Sequence, residues 1–177
     1  MKTNWKALAA MAIVLGAASA GFGQAAAMDH AQAKPAKPST TLAVTAGGKT
    51  VTLTMADLQA MPQRTLRVHN GHSNQDETYT GVGLSDLLAK FGVTLDNGGA
   101  HKVYHTCVKA EGTDKYWVLY SASELEPVMA TWDSIVALTV NGAPLGADGA
   151  FKIVAGGERR PARWVRNLSA LTIVTLE

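Results

Sequence analysis

Four arginines, Arg159, Arg160, Arg163 and Arg166, crowd one short stretch near the C-terminus, with Lys152 just upstream and Gly156, Gly157 and Trp164 among them. A guanidinium presents a planar fork of donors that matches a phosphate or carboxylate. The stretch is therefore a candidate anion site, against the plainer reading of a solvated turn marked by Pro161. A second cluster, His69, Asn70, His72 and Ser73, holds two histidines three apart. They could share a metal, hold an anion when protonated, or simply hydrogen-bond their own turn. A third possibility joins His105 and Cys107. If His101 to Val108 is a strand, its period of two puts Val103, His105 and Cys107 on one face. With His69 or His72 that pair would make a two-histidine, one-cysteine set of the kind copper accepts. The competing reading is a cysteine acting as a small buried hydrophobe, and no metal ligand set is assigned.

The elements that must position these residues are short. TLAVTA and TVTLT flank Gly47-Gly48-Lys49 as a hairpin. Thr54 stands as an N-cap before MADLQAM, and Pro62 closes that helix. TLRVHN alternates as a strand, and after the polar loop GHSNQDE the chain returns at Thr78 to Thr80. Gly83 or Ser85 opens the helix LSDLLAKFG, which puts Leu84, Leu87, Leu88 and Phe91 on one face and ends at Gly92. KVYHTCV and KYWVLY surround a turn in which Asp114 is structural. Ser121 or Ser123 caps a short helix with Glu124 in its first turn, and Asp133 is read as a further structural carboxylate. SIVALTV, the Asn141-Gly142 turn, FKIVA and LTIVTL complete the chain, with Trp117, Trp132 and Trp164 as core or pocket wall. Many short strands and a few short helices describe a β-rich α+β domain, a mixed and barrel-like sheet.

The N-terminus carries Lys2 and Lys6, an apolar run from Ala7 to Ala20, and small residues that fit cleavage between Ala20 and Ala27. That is the pattern of a secretory signal over residues 1–25, and the run is shorter than the roughly 20 residues a membrane crossing needs. An Ala/Lys/Pro-rich leader over 26–40 and one domain over 41–177 follow. The chain has 16 basic and 14 acidic residues, and without Lys2 and Lys6 the charges balance. A nucleic-acid role has no support from that balance. A lone cysteine excludes an internal disulfide. No Ser/His/Asp spacing, phosphate-binding glycine loop, CxxC or haem-attachment motif is present.

Three segments, in order, resemble the oxidoreductase molybdopterin-binding domain, the fold of sulfite oxidase and its bacterial relatives. They are YTGVGLSDLLAKFGV (Tyr79 to Val93), EGTDKYWVLYSASEL (Glu111 to Leu125) and NGAPLGADGAFKIVAGGERRPARWVRNLSALTIV (Asn141 to Val174). The resemblance implies a molybdenum-pterin cofactor held near the His69–His72 loop and the Lys152 to Arg166 segment. The residues it places there are His69, Asn70, His72, Lys152, Arg159, Arg160, Arg163, Trp164 and Arg166. It also implies a cysteine thiolate on molybdenum, from the strand before the first signature. That strand reads LRVHNGHSN, and Cys107 lies on a later one.

The reading that follows is a periplasmic or secreted, non-membrane-spanning module that binds a small anionic ligand or a periplasmic partner protein without catalysis. Its cofactor is unassigned, with molybdopterin implied by the resemblance alone. The alternatives are a molybdopterin-dependent periplasmic oxidoreductase with a non-cysteine molybdenum site, and a small copper or zinc site protein.

Overall fold

A computed structural model of the chain describes residues 37–94, 100–131, 133–158 and 161–176. The signal-peptide expectation, most of the leader, Trp132, Arg159 and Arg160 lie outside them. The described residues fall in one compact unit, Ala33–Glu177.

Ten strands form two sheets. The first contains β1 (Leu42–Ala46), β2 (Lys49–Leu53), β5 (Thr106–Gly112), β6 (Trp117–Ser121) and β10 (Leu168–Thr175), in the order β2-β1-β10-β5-β6. The β1–β10 pair is parallel and its other pairs are antiparallel, so the sheet is mixed. The second contains β3 (Gln63–Asn70), β4 (Gln75–Gly83), β7 (Ser134–Val140) and the two-residue β8 (Ala143–Pro144) in that order. In this sheet β9 (Lys152–Ala155) pairs with β7. The sheets do not close into a barrel. Among the described residues four α-helices, α1 (Met55–Gln59), α2 (Leu84–Ala89), α3 (Ala100–Tyr104) and α4 (Ala122–Leu125), stand between strands, with 3-10 turns at Gly146–Asp148 and Pro161–Arg163.

Local sequence explains most of these boundaries. Gly47 and Gly48 both take positive φ in the first hairpin turn, as do Asn141 and Gly142 in the β7–β8 turn, which is the geometry two-residue hairpins require. Thr54 caps α1 in a reciprocal box with Asp57. Leu84, Leu87 and Leu88 of α2 are fully buried, and Phe91 packs against the same core. Both sheets and the helices feed one apolar cluster that includes Val44, Leu58, Val108, Ile135, Phe151 and Leu171.

Two expectations change. His101 to Tyr104 is a helical turn, closed by His105 N–H donating to the His101 carbonyl at 3.2 Å. Only Val103 of that turn is buried for packing, and the Thr106 hydroxyl donates to the Lys102 carbonyl at 2.6 Å before β5 begins. β-Branched and aromatic residues there mimic a strand, and tertiary packing overrides them. Val103, His105 and Cys107 thus do not share a strand face. Trp117 is half-exposed on the edge strand β6 rather than core. Ahead of β1, Ser39 is buried, its carbonyl accepts from Ala150 N–H, and the Lys37 carbonyl accepts from the Thr113 hydroxyl.

Candidate functional site

The β3–β4 hairpin carries the histidine cluster at its tip. His69 Nδ1 lies 3.0 Å from Asp76 Oδ1, its cross-strand partner, and this contact leads the causes that hold the Asp76 carboxyl below its ordinary range. Asn70 is buried; its side-chain oxygen accepts from His72 N–H at 3.0 Å and its amide donates to Glu77 at 2.8 Å. Both histidines are exposed.

From Asn70 a chain of polar contacts runs inward. Glu77 accepts from Asn70, from the Ser73 hydroxyl at 2.9 Å and from the Tyr79 hydroxyl. Tyr79 in turn accepts from Lys152 Nζ at 3.0 Å, and Lys152 also donates to Asp148 at 2.7 Å. Lys152 is 4% exposed, so its charge needs this partner. The ammonium also sits 4.9 Å from the Tyr79 ring centre and 5.2 Å from that of Trp164, in cation–π range. Trp164 is fixed by its indole N–H donating to the Ala155 carbonyl at 3.0 Å and by an edge-on contact with Tyr79. Arg166 reaches the outer side of Asp148 at 3.9 Å. Burial pushes the Tyr79 hydroxyl well up, reinforced by Glu77. Burial also pushes the Glu77 carboxyl up, but its hydrogen bonds and the charge of Lys152 reverse this and hold it low. The segment is thus a connected chain of polar groups, carboxylate to phenol to ammonium to carboxylate, in which Lys152 is balanced internally and Arg166 only loosely.

Arg163 has a different task. Its guanidinium pairs with Glu124 at 2.6 Å and Glu158 at 3.1 Å, and stacks 4.4 Å from the Tyr120 ring centre. It also donates to the Leu119 carbonyl at 3.2 Å, while Glu124 accepts from Ser121 N–H at 2.8 Å. Two backbone groups of the edge strand β6 are therefore occupied by a side-chain clamp, which protects an otherwise open edge. Beside the clamp lies a cavity of about 380 Å³ whose walls include Tyr120, Glu124, Met129, Ser134, Glu158 and Arg163. Its charged groups among the described residues are two carboxylates and one guanidinium, and its lining includes none of His69, His72, Lys152 or Arg166.

Asn70, Lys152, Trp164 and Arg166 thus belong to one connected set with the backbone of His72, whereas His69 pairs with Asp76 beside it and Arg163 lies in the edge clamp. Sequence reasoning missed Glu77, Tyr79 and Asp148 as site residues, although Tyr79 opens the first family segment and Asp148 lies in the third, four positions before Lys152. It also missed that Asp133 pairs with Arg64 at 2.9 Å, alongside Asp86.

The resemblance calls for a soft anionic sulfur at the β3–β4 loop, where the donors are imidazole, amide and carboxylate. Cys107 is the chain's one cysteine. It sits on β5 of the other sheet, paired with Ser121 and Val174, and alternates out of phase with the buried Thr106, Val108 and Ala110. A neutral imidazole does not supply the soft anionic donor that a thiolate does. The residues present do not fit a cysteine-ligated molybdenum.

Among the described residues no helix is long and apolar enough to cross a membrane, and no group of three or more His, Cys, Asp or Glu is placed to hold a metal ion. No curated protein matches the chain. Among solved structures it is similar to the sulfane dehydrogenase SoxCD from Paracoccus pantotrophus, at 21% identity and a TM-score of 0.58. That match covers 75% of this chain and 37% of the other. It shows the sulfite-oxidase-like fold, carried by a chain that spans well under half of its structural relative. The family model for the oxidoreductase molybdopterin binding domain matches residues 30–172, and the chain belongs to that family.

Proposed function

We propose that this protein is an exported binding or accessory module, one that keeps the family's fold without its metal chemistry and takes a small anionic ligand or a partner protein. The observation that carries this reading is the donor set of the β3–β4 loop. His69 is tied to Asp76 and Asn70 to Glu77, and the sulfur lies on the other sheet. Anion recognition centres on Arg166, whose side chain is 66% exposed and whose pairing with Asp148 is loose at 3.9 Å. A phosphate or carboxylate competes well for such a guanidinium. Arg159 and Arg160 join the proposal by their place in the sequence, and Arg163 joins it less readily because two carboxylates already hold it. A periplasmic or secreted location rests on the charged head, apolar run and small residues of the first 25 positions.

The rival is a periplasmic oxidoreductase with a non-cysteine molybdenum site, which the family match across residues 30–172 favours. Elemental analysis with pterin fluorescence on mature protein from the periplasm of its native host separates the two. We expect less than stoichiometric molybdenum and pterin; one equivalent of each would overturn the proposal in favour of the rival. N-terminal sequencing of the protein from fractionated cells tests export, and an intact Met1 on protein confined to the cytoplasmic fraction would refute it.

A further inference from the structure

We propose that His101 and His105 form a two-point surface site for a borderline divalent transition metal such as Zn²⁺. The inference is independent of the anion reading and uses a different part of the molecule. The two residues are four apart, and the hydrogen bond from His105 N–H to the His101 carbonyl at 3.2 Å keeps that stretch in a helical turn. Residues at i and i+4 of such a turn lie on one face. Their rings do so here, with centroids 6.4 Å apart and planes inclined by 57°.

Both side chains are exposed, and among the described residues neither ring has a hydrogen-bond partner. Histidine bonds zinc through one nitrogen at about 2.0–2.1 Å, which places two rings sharing a tetrahedral ion roughly 5 Å apart between centroids. Closing the observed separation needs a small χ adjustment that exposed side chains make freely. One further feature assists. Val103, fully buried, anchors the turn so that the histidines are presented outward. Lys102, whose charge opposes a second cation, has its Nζ 3.4 Å from where a Cβ on Gly92 would stand, so its ammonium lies against the residues that follow α2. The protein supplies two imidazoles and water completes the coordination, which suits a reversible site rather than a structural one.

The test is titration of the mature protein with Zn²⁺ by calorimetry, followed by histidine side-chain NMR. We expect one ion per chain, with the ring signals of His101 and His105 shifting together. Because the second imidazole binds intramolecularly, His101→Ala and His105→Ala should each weaken binding about tenfold or more, and the double variant should be little worse than either. His69→Ala, His72→Ala and Cys107→Ala should leave the affinity unchanged, and circular dichroism checks that each variant folds. Absence of binding would overturn the proposal. So would loss of binding in Cys107→Ala, or independent half-losses in the two histidine variants that mark two separate weak contacts.

Discussion

Lys152 and Tyr79 stand 73 positions apart in the chain and 3.0 Å apart in the fold, one on β9 and the other on β4, with β7 between their strands. The contact crosses the second sheet and joins the two segments that the anion reading needs. An ammonium that is 4% exposed cannot be left without an anion nearby, so Asp148 and the Tyr79–Glu77 pair are both required for the charge to stay inside.

Removing Lys152 should therefore be costly. In Lys152→Ala the Asp148 carboxylate loses its nearer partner, keeping only Arg166 at 3.9 Å, and a void opens beside the Tyr79 and Trp164 rings. Breaking a buried pair in this way costs about 3 kcal/mol at the lower end of the usual range, and the lower end applies because Asp148 retains some contact with water. Lys152→Met refills the space beside the rings and should lose less. Urea denaturation of the two variants checks the order, and equal stabilities would mean that packing contributes nothing there.

Glu77 should make stability fall with acid. Folded Glu77 ionises below the ordinary glutamate range because its hydrogen bonds and Lys152 outweigh the opposing effect of burial. The unfolded chain takes up the proton at a higher pH. The contribution is thus fully present above the unfolded value and is lost as the pH falls through the folded one. Glu77→Gln should be less stable than wild type at neutral pH, and the gap should narrow towards pH of about 4 and below. Denaturation midpoints across that range test this, and parallel curves would contradict it.

The Arg163 clamp should matter more for solubility than for stability. Its ion pairs are partly exposed, so Arg163→Ala should cost about 1 kcal/mol or less. It also uncovers the Leu119 carbonyl on an edge strand whose Trp117 and Leu119 side chains are already half-exposed. Concentration-dependent association, measured by light scattering, is the expected result. Glu124→Gln, which keeps an acceptor for Ser121 N–H, should associate less.

Much of this architecture was legible in the sequence because its signals are local. Turn glycines, the Thr54 cap, the leucine face of α2 and the apolar run of β7 each act within a few residues. What escaped depends on contacts between distant segments. Tyr79 reads as a strand aromatic until Lys152 arrives beside it, and Arg163 reads as an anion ligand until Glu124 and Glu158 close on it from either side. The His101 turn was hidden for the same reason, since a buried Val103 rather than propensity decides it.

Gly81, in the middle of the first family signature, joins both levels. It lies where the β4–β7 register shifts between Thr80 and Gly81, and a Cβ placed there would run into the Val136 carbonyl and stand 2.7 Å from Ala137 Cα. Both obstacles are backbone, so no side-chain rotation relieves them. The bulge lets β4 approach β7 closely just before α2 begins, and that approach also sets where Tyr79 meets Lys152. Gly81→Ala should cost about 4 kcal/mol or more, the range reserved for changes that a packed interior cannot absorb. The same substitution at Gly71, whose Cβ would meet nothing within 4 Å, should cost far less. Thermal melts of the two variants decide the matter, and equal melting temperatures would mean that the strands separate to accept the methyl group.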